Sequence, residues 1–126
     1  MAVDKHSMQS KFYTNVFGVG DVTDLPTART GAAIRKQAPV VVKNILKLMD
    51  GKVADCADYT GYSSCPLVVA HNKMLLAEFG YDGVRMSDPM LSKFFNTGKA
   101  SYPMWILKRY GLPFMYWNLM LKGYDF

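Results

Sequence analysis

Gly61-Tyr-Ser-Ser-Cys-Pro-Leu-Val68 is a polar turn that carries one cysteine into an apolar run. The apolar run continues to Ala70, and a second one, Met74 to Phe79, follows after the polar segment His71-Asn72-Lys73. Two short apolar runs separated by a polar turn are typical of a β-hairpin. We therefore predict an antiparallel hairpin that begins near Cys65, within an α+β fold.

A second informative stretch, Val16-Phe-Gly-Val-Gly-Asp21, lies upstream of the cysteine turn. The apolar residues from Phe12 to Val19 predict a buried strand, and the glycines at its end permit a close approach of the backbone. A strand that ends in Gly-x-Gly-Asp can present a carboxylate at the ligand-binding edge of an open α/β sheet. Asp21 would there accept hydrogen bonds from a ribose or ribityl hydroxyl, although such a turn is often no more than a turn.

An amphipathic helix is predicted from Thr30 to Met49, and Asp50-Gly51 is typical of a helix end. The polar connection of residues 52–62 is the best candidate for a domain boundary, which gives domains 1–51 and 52–126. The predicted buried stripe of the helix consists of Ile34, Ala38, Val41, Val42, Ile45 and Leu48.

More than half of the aromatic residues lie after residue 91. We predict two short amphipathic helices there, Tyr102 to Tyr110 and Pro113 to Lys122, with Gly111 as the stop between them. Trp and Tyr mixed with Lys and Arg are typical of segments that lie in a membrane interface. The alternative is that these helices pack against protein, or against each other in a homodimer.

Composition narrows the classes of function. The chain has 126 residues, half of them apolar and a fifth charged, which argues against disorder. The net charge of +5 suits nucleic acid, an anionic membrane or an ordinary soluble surface. Nucleic acid is disfavoured because the basic residues are scattered and form no stripe that tracks phosphates. Two cysteines are too few for a disulfide scaffold, and with His71 they are too few for a metal site.

Asn15-Val-Phe-Gly-Val-Gly-Asp21, followed by Leu25-Pro-Thr-Ala-Arg-Thr-Gly-Ala-Ala33, resembles the second flavin motif of the disulfide-reductase superfamily. The resemblance implies that Asp21 contacts the flavin ribityl chain and that the next helix points at the pyrimidine edge of the ring. It implies the following flavin-binding positions: Gly20, Asp21, Arg29, Thr30 and Gly31. Arg29 stands where sulfide:quinone oxidoreductases, a family that the chain resembles, often have lysine, and a guanidinium does not readily give up a proton.

The cysteine turn, followed by Leu75-Leu-Ala-Glu-Phe79, is similar to the redox-cysteine segment of sulfide:quinone oxidoreductases. The resemblance implies that Cys65 is the catalytic, flavin-side cysteine and that its partner cysteine lies upstream, outside this chain. Judged without the resemblance, a free cysteine at the start of a strand is more often a small core residue than a reactive thiol. Cys56 matches nothing in the pattern, and we interpret it as a bystander.

Leu112-Pro-Phe-Met-Tyr-Trp-Asn-Leu-Met-Leu-Lys-Gly123 extends the resemblance through the tail. It implies a monotopic membrane surface beside the quinone site, with Phe114, Tyr116 and Trp117 as tentative contacts, at a bacterial cytoplasmic or mitochondrial inner membrane. The implied fold is the last strand and helix of a Rossmann-type FAD domain, then the hairpin and the tail helices. The sequence has no Gly-x-Gly-x-x-Gly phosphate turn, so we expect the chain alone to be inactive and not to retain FAD.

Two other interpretations compete with the one that the resemblance implies. A non-enzymatic module that binds a membrane or a partner would need only the aromatic tail. A related NADH:quinone flavoprotein would share the flavin motif, but the Cys65 turn argues against it, because a flavoenzyme that accepts hydride needs no cysteine there.

Overall fold

The computed structural model describes residues 1–55, 58–89 and 91–124 and is of the α+β class, as predicted. The chain divides into two compact units. Unit 1 contains Met1–Ser63 and Gly80–Val84, and unit 2 contains Ser64–Phe79 and Arg85–Phe126. The predicted boundary between residues 51 and 52 stays a prediction. The main elements in chain order are α1 (Gly31–Met49), β1 (Ser63–Ala70), β2 (Lys73–Phe79), α2 (Tyr102–Ile106) and α3 (Leu112–Asn118).

The strand predicted from Phe12 to Val19 is not formed, and the structure does not show the Rossmann-type part of the predicted fold. Within the described residues, the segment makes one isolated antiparallel bridge, between Gln9 and Phe17. The side chains of Phe12 and Tyr13 are exposed at a turn that the Val16 N–H closes onto the Tyr13 carbonyl at 3.3 Å. A strand requires a continuous ladder with a neighbour, and apolar sequence alone does not supply one.

The long helix α1 forms within one residue of its prediction. Thr30 is its N-cap, and the Thr30 hydroxyl accepts a hydrogen bond from the Ala33 N–H at 3.2 Å. Asp50 caps the other end, and Gly51 follows in the left-handed conformation with φ +72°. The polar residues at both ends therefore set the length of α1.

The face of α1 that is buried differs from the predicted stripe. Its buried residues are Ala33, Gln37, Val40 and Asn44, whereas Val42 and Ile45 are exposed. The Gln37 Oε1 accepts the Gly20 N–H at 2.7 Å, and the Asn44 Nδ2 donates to the Ser7 carbonyl at 2.9 Å. This face of α1 is buried in place of the predicted stripe because the irregular N-terminal loop of unit 1 carries backbone groups that need hydrogen-bond partners when buried.

The predicted hairpin is confirmed in unit 2, where the two-residue turn His71–Asn72 joins β1 to β2. Asn72 adopts φ +54°, which asparagine tolerates better than most residues. The other edge of β2 is also covered. Met74 forms a bridge with Ser101, and the Leu76 N–H donates to the Thr97 carbonyl at 2.8 Å.

Unit 2 has an apolar core built on the hairpin. Its buried members are Met74, Leu76, Leu91 and Met104, and Phe95, Trp105 and Leu107 pack against them. Glu78 is buried in the same unit, and its carboxylate accepts the Thr97 hydroxyl at 2.6 Å and the Asp88 N–H at 2.9 Å. These bonds offset the cost of taking a carboxylate out of water.

The predicted helices of the tail are confirmed, but the predicted break between them at Gly111 is wrong. The helical run continues from Tyr102 to Asn118 through a π-helical turn, Leu107–Gly111, in which Gly111 has φ −68°. The Leu112 N–H donates to the Leu107 carbonyl five residues back. Glycine and proline weaken a helix, but the π-helical turn is wider than an α-helical one and accommodates Pro113, which lacks an N–H. We call this run, Tyr102–Asn118, the aromatic helix.

The predicted end of the tail is confirmed at Gly123, which has φ +75° after the short 3-10 turn Met120–Lys122. Within the described residues, no helix has both the length and the apolar character required to cross a bilayer.

Candidate functional site

The predicted flavin turn in unit 1 is a single 3-10 turn, Gly20–Val22. Gly20 has φ +67°, and a Cβ placed on it would lie 3.0 Å from the Ile34 side chain, so the turn requires glycine. The Thr23 hydroxyl donates to the Gly20 carbonyl at 2.7 Å. Asp21 is exposed at the tip of this braced turn, and its carboxylate therefore faces water.

The start of α1 supplies the remaining predicted flavin residues. Arg29 is exposed, Thr30 caps the helix, and Gly31 is its first residue. A Cβ on Gly31 would meet nothing within 4 Å, so the space beside this residue is open. The first N–H groups of a helix lack partners within it, and they carry the positive end of its dipole.

The Gly20 turn and the start of α1 carry groups that fit part of a flavin. An exposed carboxylate and the N-terminus of α1 lie in one unit, and the Gln37–Gly20 hydrogen bond ties the turn to α1. Such groups fit the ribityl hydroxyls and the electron-rich ring edge of FAD. Nothing in the sequence provides the glycine-rich phosphate cradle.

Gln37 connects the Gly20 turn to the helix and is not among the site residues predicted from sequence. It is 1% exposed, and Asn44 lies two turns further along the same face. The available signal was the spacing of the two amides by seven residues, which places both on one face of the helix. Polar residues at a helical repeat indicate a polar neighbour, here the backbone of the N-terminal loop.

The predicted catalytic thiol lies in unit 2. Cys65 is a free, exposed cysteine in β1, preceded by the buried Ser63 and Ser64. The carbonyl of the next residue, Pro66, accepts a hydrogen bond from the Lys108 ammonium at 3.3 Å. A thiol in this position is open to solvent, as a reactive cysteine requires. Cys56 lies outside the described residues.

The turn before Cys65 is held by aromatic residues of unit 1. Gly61 has φ +82°, and a Cβ on it would lie 2.6 Å from the Tyr81 backbone nitrogen, so no other residue fits there. The buried Tyr59 donates its hydroxyl to the Tyr62 carbonyl at 2.9 Å, and the Tyr81 hydroxyl donates to the Lys5 carbonyl. Burial raises the pKa of Tyr81 well above its ordinary value. Tyr81 therefore acts as a neutral hydrogen-bond donor.

The tail residues assigned to quinone and membrane are exposed in unit 2. Phe114 is 60%, Tyr116 45% and Trp117 63% exposed. Exposure of this much aromatic surface on one helical segment is typical of a surface that meets a membrane or a partner. Within the described residues, no group of three or more histidine, cysteine, aspartate or glutamate side chains is placed to hold a metal ion.

The sequence matches three curated mitochondrial sulfide:quinone oxidoreductases. The mouse protein is 40% identical over 97% of this chain, and the Dictyostelium discoideum protein is 41% identical over 96%. The Schizosaccharomyces pombe protein is 40% identical over 98%. The chain spans about a quarter of the length of these relatives, 26%, 26% and 27% respectively. No protein-family model matches the sequence.

A solved structure has a similar fold. One chain of the cryo-EM structure of the Tetrahymena thermophila mitochondrial ATP synthase, an F1Fo composite tetramer, superposes with a TM-score of 0.75 at 27% identity. That match covers 90% of this chain and 27% of the other. The resemblance drawn from the flavin turn, the cysteine turn and the tail is confirmed: over nearly its whole length, the chain matches a C-terminal fragment of sulfide:quinone oxidoreductases.

Proposed function

We propose that this chain is the C-terminal part of a membrane-associated flavoenzyme that oxidises sulfide and reduces quinone. The observation that carries the proposal is the similarity at about 40% identity to three sulfide:quinone oxidoreductases over nearly the whole chain. The exposed thiol and the braced Gly-Asp turn supply residues of the types that this chemistry needs. The names of the relatives support a mitochondrial location, and we propose the inner membrane as the site of action.

Cys65 is proposed to carry the sulfur chemistry. In the complete enzyme it forms a disulfide with a second cysteine upstream of this chain. Hydrosulfide attacks one sulfur of that bond, which leaves a persulfide on one cysteine and a thiolate on the other. The attack breaks one S–S bond and forms another, and the hydrosulfide proton goes to solvent. Exposure of Cys65 on β1 gives the substrate access to it.

FAD is the proposed cofactor of the complete enzyme, where it would supply two-electron transfer between the sulfur centre and quinone. Asp21 would hold the ribityl hydroxyls, and the first turn of α1, at Thr30 and Gly31, would present N–H groups to the ring edge. Arg29 adds positive charge beside that edge. Gly20 allows the close backbone approach that the turn needs.

The exposed apolar face of α1 supports the proposal that more protein packs here in the working enzyme. Val42, Ile45, Leu46 and Met49 are all exposed on this helix, by 41% to 77%. A flavin domain that covered this face would bury it and would complete the phosphate cradle. We therefore expect the 126-residue chain to be inactive and colourless after purification. Stoichiometric flavin absorbance in the purified chain would contradict this expectation.

The decisive experiment uses the complete enzyme with Cys65→Ser. We expect sulfide-dependent quinone reduction to be abolished, because serine cannot hold a sulfane sulfur or form the disulfide. Cys56→Ser is the matched control and is expected to retain activity. Equal loss in the two variants would show that Cys56 is not a bystander.

The aromatic helix is proposed to lie on one leaflet of the membrane, beside the quinone site. Phe114 and Trp117 expose large apolar surfaces, and each side chain contributes roughly 1.5–3 kcal/mol when buried. Phe114→Ser with Trp117→Ser is therefore expected to weaken liposome binding far more than added salt does. A chain that stays monomeric and ignores liposomes would show that the tail is not a membrane surface.

A second candidate function is a non-enzymatic module that binds partner proteins in a mitochondrial complex. The observation that favours it is the similar fold of a chain in the mitochondrial ATP synthase structure. The exposed apolar surfaces of α1 and the aromatic helix would then be protein interfaces. Isolation of the native protein discriminates the two: a flavin-containing enzyme supports the first proposal, and a flavin-free protein in a large assembly supports the second.

A further inference from the structure

Arg109 is held by aromatic rings in the π-helical turn of the aromatic helix. Its guanidinium carbon lies 5.2 Å from the ring centre of Trp105 and 5.5 Å from that of Tyr110. Tyr102 stacks on Trp105 with a ring separation of 5.8 Å and an interplanar angle of 17°. We call the rings of Tyr102, Trp105 and Tyr110 the aromatic platform.

The platform is anchored to the core of unit 2. Trp105 packs against the cluster that contains Met74, Leu76 and Met104, whereas Tyr102 and Tyr110 are 54% and 59% exposed. Trp105 thus joins a fixed interior to an exposed guanidinium. Stacking on a ring restrains the arginine and leaves the edges of its planar fork available as donors.

The charge around the platform is of one sign. The sequence from residue 91 to 124 contains Lys93, Lys99, Lys108, Arg109 and Lys122 but no aspartate or glutamate. In the part of the chain that the structure describes, Lys43, Lys47 and Lys52 form ion pairs within residues 43–58, and no carboxylate pairs with Arg109. Lys108, the neighbour of Arg109, donates instead to the Pro66 carbonyl.

We infer that Arg109 on its aromatic platform binds the phosphate of a phospholipid headgroup. The inference rests on the proposed function, in which the aromatic helix lies on a membrane. Tyr and Trp rings settle at the level of the headgroups, which places the guanidinium at the depth of the phosphates. A guanidinium fork matches two phosphate oxygens, whereas an ammonium offers a point charge. Arg109 therefore differs in role from the other basic residues of the tail.

The test measures binding of the full 126-residue chain to vesicles of phosphatidylcholine with phosphatidic acid. Arg109→Lys keeps the charge and removes the fork, and Arg85→Lys makes the same change at another exposed position of unit 2. We expect Arg109→Lys to lower the partition coefficient about fivefold, which corresponds to one charge-assisted hydrogen bond weakened by exposure to water. Arg85→Lys is expected to match the wild type.

A spectroscopic arm reports on the platform itself. The chain has two tryptophans, so Trp105 is the sole emitter in a Trp117→Phe background. We expect vesicles with phosphatidic acid to change the Trp105 emission, and Arg109→Lys to reduce that change. Circular dichroism of each variant verifies that the fold is retained.

Several outcomes would overturn the inference. Equal vesicle binding by Arg109→Lys and the wild type would refute the role of Arg109 and leave the proposed membrane surface intact. If the wild type binds no vesicle, the membrane surface and the inference both fail. If soluble glycerol phosphate produces the same Arg109-dependent change in emission, the ligand is a free phosphate ester. Tighter, Arg109-dependent binding of a single-stranded oligonucleotide would assign the platform to nucleic acid.

Discussion

The long helix of unit 1 and the hairpin of unit 2 bury different kinds of side chain. On α1 the buried face includes Gln37 and Asn44, each hydrogen-bonded to the backbone of the N-terminal loop. On the hairpin the buried face includes Met74 and Leu76, which pack with Met104 of the aromatic helix. Directional bonds fix the conformation of a loop, and apolar packing fixes the assembly of regular elements. This difference explains why a side-chain amide, that of Gln37, holds the candidate flavin turn, whereas apolar packing holds the aromatic helix on the hairpin.

The largest effect is expected from Met104→Ala. Met104 is fully buried in the core of unit 2, and truncation of a buried methionine costs about 2–5 kcal/mol of unfolding free energy. Hydrogen exchange followed by mass spectrometry is expected to show faster exchange across unit 2 and little change in unit 1. Met49→Ala, at a methionine that is 77% exposed, is the control and is expected to change stability little. Loss of protection in both units at once would show that they unfold as one cooperative body.

A smaller effect, confined to unit 1, is expected from Gln37→Ala. The change leaves the buried Gly20 N–H without its acceptor, at a cost of about 1–3 kcal/mol. Exchange at residues 18–24 is expected to accelerate before the rest of α1 responds. Gln9→Ala is the control, because the Gln9 amide bonds to the Thr14 carbonyl at an exposed site. If the Gly20 turn stays protected in Gln37→Ala, apolar packing of Ile34 holds it instead.

The smallest effect is expected from acid. The Ser7 backbone N–H, with further hydrogen bonds from the His6 N–H and the Ser7 hydroxyl, holds the pKa of Asp4 below its ordinary value of 3.8. A lowered carboxyl pKa stabilises the fold above the unfolded pKa, and this contribution is lost as pH falls through the folded pKa. Unit 1 is therefore expected to lose part of its thermal stability below pH 3.8. The Asp4→Asn variant is expected to lose less over the same pH range. An identical pH profile for the two proteins would show that Asp4 contributes nothing.

The elements whose signals are local were predictable from sequence. Thr30 and Gly51 set the ends of α1 through their own backbone and side-chain bonds, and the short turn between two apolar runs set the hairpin. The strand from Phe12 to Val19 was not predictable in the same way, because a strand exists only through a neighbour that sequence does not identify. Gly111 and Pro113 also led to a wrong prediction of a helix break, because a π-helical turn accommodates residues that usually end a helix.

The residues of the candidate site also fall into those with a local sequence signal and those without one. Asp21, Thr30 and Cys65 follow from short motifs, and the structure places them on a turn, a helix cap and a strand. Gln37 and the ring contacts of Arg109 depend on tertiary position. The buried face of α1 was mispredicted because the hydrophobic pattern favours Val42 and Ile45, whereas the loop requires amides. The sequence pattern indicates how apolar each face of a helix is, but it does not indicate which backbone groups need hydrogen bonds from that face.

The three methionines Met8, Met74 and Met104 have no solvent-exposed surface, whereas Met49 is 77% exposed. Peroxide converts a methionine thioether to the polar sulfoxide only where it reaches the sulfur. In the folded chain Met49 is therefore open to the oxidant, and the buried three are modified only while their surroundings open. A sulfoxide formed at Met74 or Met104 would be too polar to return to its place in the core. Oxidation in unit 2 thus converts a brief opening into damage that outlasts it, and the sulfoxide content of the buried methionines records how often the core has opened.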